Sequence, residues 1–168
     1  STLYMIDLQA NNRAAIASYP AIRNLLWIPA SNDFIFQARQ DVSAPESLYL
    51  YRWDDGKTIK LDLNTPLENI AIINKNRILA VTDQQFGTGQ EGQLVSLKPN
   101  ESKAAPTATY AFIDYSLIAN EARLITTIDA AVPPQRLKSS PDNKSLYYLQ
   151  GEKVFQLKFE EWVWIGLD

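Results

Sequence analysis

Apolar and polar residues alternate along most of the chain with a period of two, the spacing that puts successive side chains on opposite faces of a strand. The clearest run is Ser47 to Trp53, with Leu48, Leu50 and Arg52 on one face and Tyr49, Tyr51 and Trp53 on the other. Asp54-Asp55-Gly56 then reads as a hairpin turn and Lys57 to Leu63 as the return strand. The same reading predicts strands over Leu3 to Leu8, Arg13 to Tyr19, Leu25 to Ile28, Phe34 to Ala38, Ile70 to Ile73 and Arg77 to Thr82. It continues with Gln93 to Lys98, Tyr110 to Tyr115, Arg123 to Asp129, Ser145 to Gln150 and Glu152 to Phe159. Turn-forming clusters separate the runs, among them Gln9-Ala10-Asn11-Asn12, Pro29-Ala30-Ser31-Asn32-Asp33 and Asn74-Lys75-Asn76, while Asp83 to Gly92 reads as a loop. Leu117 to Leu124 is the nearest approach to a helix, and its β-branched neighbours oppose it. An all-β, antiparallel chain is expected.

The strands recur. Leu3, Leu48 and Leu94 each open a run, at steps of 45 and 46 residues, a period that with four short strands per unit suits a propeller blade. Tyr110-Ala111-Phe112-Ile113-Asp114-Tyr115 resembles Leu3-Tyr4-Met5-Ile6-Asp7-Leu8, which makes Asp7 and Asp114 equivalent and marks both as candidates for a shared channel. The second half is less regular and implies an insertion or a mis-assigned strand between Pro99 and Gln135. Pro99 to Pro106, polar and bounded by prolines, is the expected excursion and protease-sensitive site. The expected fold is a set of antiparallel four-stranded repeats over residues 1–168, a single β-repeat domain forming part of a larger propeller. A β-sandwich is the rival, distinguished by two packed sheets without repetition.

The turn at Ser140-Pro141-Asp142-Asn143 carries the most specific motif. Proline presets φ at the second position, the aspartate can bond back to the backbone, and asparagine tolerates the left-handed conformation that closes such a turn. The run from Ser140 to Tyr148, SPDNKSLYY, resembles the Ser-Pro-Asp-Gly-Lys signature between the first two strands of each blade in propellers of the TolB, WD40-like and amine-dehydrogenase type, with Asn143 in place of glycine. Ala30-Ser31-Asn32-Asp33 and Asn74-Lys75-Asn76 keep turn chemistry without the Pro-Asp pair, and Trp53-Asp54 stands at a strand end as in WD repeats. The resemblance implies a partial propeller. Roughly three and a half four-stranded units fit in this length, whereas closed rings have 4–8 blades, so a complement is expected: a second chain, a second copy or the remainder of a longer polypeptide.

Composition removes most chemistry. The chain has 168 residues, 46% hydrophobic and 21% charged, with a net charge of −3 and a pI near 5.0, as for an ordinary globular protein and without the basic excess that neutralises nucleic-acid phosphates. No apolar run reaches the roughly 20 residues of a membrane helix, and Ser1-Thr2-Leu3-Tyr4 resembles neither a signal nor a transit peptide. With no Cys and no His the chain builds no thiol nucleophile, disulfide, conventional zinc site or Ser-His-Asp triad. The lack of cysteine favours a periplasmic or extracellular location.

The remaining candidates are few. Glu46, Asp54, Asp55 and Asp62 could be read as oxygen ligands for a cation, but their spacing matches no calcium loop. Phe86 to Gly92 contains Gly-x-Gly and lacks the lysine and helix of a phosphate loop. Neither cofactor nor metal is expected. The aromatic stripe Tyr49, Tyr51 and Trp53 is a candidate partner-binding surface, as are Trp162 and Trp164, which share a face if Glu160 to Ile165 is a strand. The expected function is a non-catalytic interaction or scaffold module that binds a protein partner. The alternative is the structural propeller portion of an enzyme, dehydrogenase-like or hydrolase-like, whose catalytic groups lie on another chain or segment.

Overall fold

The strand formers at the start of the chain, Thr2–Asp7 (β1) and Asn12–Ser18 (β2), close on each other as an antiparallel hairpin that forms a two-stranded sheet of its own. The computed structural model describes residues 1–7, 9, 11–83, 85–88, 94–97 and 108–158. After the hairpin come Ala21–Trp27 (β3), Phe34–Arg39 (β4), Glu46–Arg52 (β5) and Lys57–Lys60 (β6), paired antiparallel in chain order as the first four-stranded sheet. A 3-10 turn at Leu67–Asn69 leads into Ile70–Asn74 (β7) and Arg77–Thr82 (β8). Among the described residues Gln85–Thr88 (β9) and Leu94–Leu97 (β10) pair only with each other. Ala108–Ser116 (β11) then returns to pair with β8, and Glu121–Ala130 (β12) completes the second sheet, ordered β7, β8, β11, β12. Pro134–Ser139 (β13), Ser145–Gln150 (β14) and Lys153–Lys158 (β15) form a third, three-stranded sheet.

The all-β, antiparallel expectation is met, and the region Leu117 to Leu124 is a turn leading into β12. Two parts of the repeat differ from the sequence reading. The strand expected at Gln93 to Lys98 belongs to the β9–β10 hairpin, and β9 itself lies within the stretch read as a loop. The irregularity in the repeat therefore starts at residue 85, upstream of Pro99, because this hairpin is inserted between the second and third strands of a sheet. The return strand expected over Lys57 to Leu63 ends at Lys60; Leu61 makes one more backbone bond, to Leu48, and the chain then leaves the sheet with Leu61 and Leu63 buried. Pro99 to Pro106 and Glu160 to Ile165 lie outside the described residues.

Apolar alternation on both faces of each full sheet builds three clusters, one between each pair of neighbouring units. Phe34, Phe36, Tyr49 and Tyr51 meet Leu3, Ile16 and Tyr19 between the hairpin and the first sheet. Ile35, Leu48 and Leu50 meet Ile78, Ile113 and Tyr115 between the first and second sheets. Leu79, Val81 and Phe112 meet Leu137, Leu146 and Tyr148 between the second and third. Two successive side chains of one strand thus serve different interfaces, as Ile35 and Phe36 do.

Turns repeat as well. The residue before each outermost strand has positive φ: Asn11 at 50°, Gly56 at 64° and Asn120 at 59°, all residue types that tolerate the left-handed region. Matching these turns equates β1–β2 with the outer halves, β5–β6 and β11–β12, of the two full sheets. It also shifts the expected equivalence of Asp7 and Asp114 by two positions. Asp7 pairs with Asn12 next to its turn, where β11 has Ser116 opposite Glu121, and Asp114 sits farther in, opposite Arg123.

Candidate partner-binding faces

Each terminal unit of the described stack carries apolar side chains of the kind that a neighbouring unit covers elsewhere in the repeat. On the first hairpin, Tyr4 and Ile6 share a face with Arg13 and Ala15; Ile6 is 60% exposed, and the Arg13 guanidinium stacks 3.5 Å from the Tyr4 ring centroid. At the other end Tyr147 lies opposite Gln156 and Leu149 opposite Val154, so these four share the outward face of the third sheet, where Val154 is 68% exposed. The other face of the same strands holds Leu146 and Tyr148, buried against the second sheet, with Phe155 stacked on Tyr148.

A third apolar surface lies on β3. Register places Leu25 opposite Phe36 and Trp27 opposite Phe34, so both point toward the first hairpin. The hairpin covers Phe34 and Phe36 completely but leaves Leu25 39% and Trp27 57% exposed. Trp27 meets Phe34 edge-on with ring centroids 5.1 Å apart.

The aromatic stripe divides. Tyr49 and Tyr51 are buried, Tyr49 stacked on Phe36 at 5.5 Å and Tyr51 on Phe34 at 5.1 Å, while Trp53 lies in the following turn and is partly exposed. Trp162 and Trp164 lie outside the described residues. Sequence alternation alone did not single out Tyr4, Ile6, Leu25, Trp27, Tyr147 or Val154. Their signal is position within the repeat: Tyr4, Ile6, Tyr147 and Val154 lie on faces that meet no further sheet among the described residues, and Leu25 and Trp27 are left exposed by the two-stranded hairpin that covers Phe34 and Phe36.

Charged candidates are engaged locally. Glu46 Oε1 lies 3.4 Å from Arg39 Nε and 3.5 Å from Arg23 Nη1, and Asp55 pairs with Lys57 at 3.4 Å and accepts its backbone N–H. Asp114 accepts from Arg77 Nε at 3.1 Å and is also bonded by Arg77 Nη2. Burial, and secondarily the nearby Arg123, lowers the pKa of Arg77. In the first sheet Asp33 plays the matching part, accepting from Arg52 Nη1 at 2.7 Å and from the Trp53 backbone N–H at 2.8 Å. Among the described residues no group of three or more His, Cys, Asp or Glu is placed to hold a metal. Among them, too, no helix is long and apolar enough to cross a membrane.

The turn motif at Ser140 is formed as its residues imply. Asn143 N–H bonds Ser140 O at 2.9 Å, the Ser140 hydroxyl donates to Asp142 Oδ1 at 2.6 Å, and Lys144 N–H reaches the same oxygen at 3.1 Å. These bonds, that from Ser140 foremost, hold the Asp142 carboxyl below the usual pKa. The turn joins the first two strands of the third sheet and touches the second, where Asn143 Nδ2 donates to Ile73 O at 3.4 Å.

No family model matches the sequence, and no curated protein matches it. Among solved structures, TolB from Acinetobacter baumannii superposes with a TM-score of 0.57 at 11% identity, covering 95% of this chain and 35% of that one. The chain has a TolB-like β-propeller fold. Its four-stranded sheets are blades, each with its first strand, the inner one of a propeller blade, at one edge, and the chain spans about a third of the length of the TolB chain. In these terms β1–β2 is the outer half of a blade, β3–β6 and β7–β12 hold two complete blades with β9–β10 as an insertion, and β13–β15 are the first three strands of a fourth.

Proposed function

We propose that this chain is a non-catalytic interaction or scaffold module of a larger propeller and that it binds a protein partner through the open ends of its blade series. The observation that carries the reading is the exposure of Ile6 at one end and Val154 at the other, on faces whose counterparts between blades are buried. Burying apolar area is worth roughly 25 cal/mol per Å², so a flank of several hundred Å² offers on the order of 10 kcal/mol before the entropic costs of association. Trp53, Trp162 and Trp164 are further members of the partner surface in this reading, whereas Tyr49 and Tyr51 support it from within the core.

Sedimentation of the purified chain across the micromolar range, alone and after mild purification that retains partners, tests the proposal. Association or a stoichiometric companion polypeptide is expected. Val154→Lys, and Trp162→Ser with Trp164→Ser, should each weaken it while the far-UV circular dichroism spectrum stays that of a β protein. A compact monomer at high micromolar concentration, with no companion and no response to these changes, would overturn it.

A further inference from the structure

We propose that the outer seam between the two four-stranded blades is a docking cleft for an extended segment of another protein, one that carries a lysine or arginine two residues from an apolar side chain. The seam lies between blades that are each four strands wide, so the inference goes beyond the terminal faces of the partner-binding reading and needs neither of them.

The walls of the cleft continue the core outward. Leu50 is fully buried between the two blades, and Ile59, opposite it on β6, shares its face but is 36% exposed. On the facing blade Leu124 lies opposite Ile113 and Ala122 opposite Tyr115, so both sit on the side of β12 that meets the first blade, and both are only half-buried. At the top of the seam Leu117 is buried, while Ile118, the next residue, is 69% exposed in the β11–β12 turn. An apolar interface thus runs out to the rim uncovered.

The surface is already ordered. Leu117 N–H bonds Asn76 O at 2.8 Å and Asn120 N–H bonds Ser116 O at 2.9 Å, while Ala119 N–H reaches Ser116 Oγ at 3.1 Å. The Tyr115 hydroxyl then ties the two blades together, donating to Asn120 Oδ1 and accepting the Asp62 N–H. Asp62 is held beside the Ile118 turn. A ligand that binds here pays little for ordering the protein.

Charge and width select the occupant. Asp62 is exposed and makes no ion pair among the described residues. The neighbouring cations are committed elsewhere: Arg52 donates to Asp33 at 2.7 Å and to Leu117 O at 3.3 Å, and Lys57 pairs with Asp55 at 3.4 Å. Lys60 lies opposite Tyr49, on the other face of β6. A carboxylate beside an apolar wall and without a cation of its own favours an incoming ammonium or guanidinium. Packed sheets stand about 10 Å apart, and a helix with its side chains is about 10–12 Å across, so the cleft suits the side chains of an extended chain. In such a chain residues two apart point the same way, so one apolar group can lie against Ile59 and Ile118 while the basic one reaches Asp62.

The test titrates the intact chain with the synthetic peptide acetyl-Gly-Leu-Ser-Lys-Ser-Leu-Gly-amide and follows isoleucine methyl signals by NMR. At millimolar peptide the Ile59 and Ile118 methyls are expected to shift, while Ile22, on the opposite face of the first blade, stays in place. Asp62→Asn should weaken binding about threefold and flatten its salt dependence, and Ile118→Ser should weaken it about fivefold. Val42→Ser, in the exposed loop between β4 and β5 at the other end of the blade, should leave it unchanged. No shift at millimolar peptide, equal shifts with glutamate in place of the peptide's lysine, or binding indifferent to both Asp62→Asn and Ile118→Ser overturns the proposal. So do the same shifts on raising the chain's own concentration without peptide, which would make a second copy the occupant. If the seam fails while Val154→Lys still disrupts association, the partner-binding reading survives without it; if the seam binds and Val154→Lys changes nothing, the seam stands and the terminal face falls.

Discussion

Tyr115 shows how one side chain ties a blade to the segment that precedes it. Its ring is fully buried, its hydroxyl donates to Asn120 Oδ1 at 2.6 Å, and it accepts the Asp62 backbone N–H at 2.8 Å. Tyr115→Phe keeps the packing and strands that N–H, so a loss of about 1–3 kcal/mol in urea unfolding is expected. Burial pushes the Tyr115 pKa up to about 12, with the Asp62 carboxylate adding to the rise and the Asp62 N–H opposing it. An unfolded tyrosine titrates near pH 10, so the folded state favours the neutral phenol. That contribution is fully present below about pH 10 and is lost as pH rises through about 12. Tyr19, Tyr49 and Tyr148 are raised as well, each mainly by burial, and act in the same direction. Tyrosinate absorbance followed alongside circular dichroism should therefore show these phenols ionising together with unfolding. At Asp33 the expected effect is larger: Asp33→Ala leaves Arg52 without its carboxylate and the Trp53 N–H without an acceptor, and should cost about 3–5 kcal/mol in the same unfolding assay. None of this pairing was legible in the sequence, because Asp33 and Arg52 meet only through the register of two strands.

At the scale of elements, period-two alternation located most strands, and turn residues located their ends. The inserted β9–β10 hairpin escaped because Gln85-Phe86-Gly87-Thr88 is bounded by glycines and polar residues that read as loop. Alternation also cannot say whether an aromatic stripe faces water or a neighbouring sheet. In a blade both faces are packed, so Tyr49 and Tyr51 carry the same pattern as a surface stripe would, and only the hairpin opposite them decides. The turn motif, by contrast, was fully legible, since its bonds join residues within five positions of each other. Asn143 has φ 55°, so Asn143→Val places a β-branched side chain in the left-handed region and should destabilise by about 1–2 kcal/mol, whereas Asn143→Gly keeps the turn. Thermal unfolding of the two variants side by side measures the difference.

For the whole molecule, the period of about 45 residues pointed to blades, but the count of units could not say where the blade series opens. Matching turns aligns the units, and it sets the β1–β2 pair against β5–β6 and β11–β12 of the two four-stranded sheets among the described residues. The two complete blades also differ in the sign of their ion pairs. In the first, the acid, Asp33, precedes the second strand and the base, Arg52, ends the third; in the second, the base, Arg77, begins the second strand and the acid, Asp114, lies on the third. Repeats of similar shape are prone to exchange strands during folding. Here, pairing β4 with β11 would bring two carboxylates together, and pairing β8 with β5 would oppose two guanidinium groups, each penalised in a partly buried site. Arg77→Asp combined with Asp114→Arg would keep a pair within the blade and remove that discrimination. Compared with an Asp114→Asn chain at matched stability, the double variant should give a lower yield of monomeric native protein on dilution from urea, with the deficit recovered as aggregate; equal yields would refute the idea. Opposite polarity in neighbouring repeats then works as a sorting code, letting each strand recognise its own blade while the chain is still searching.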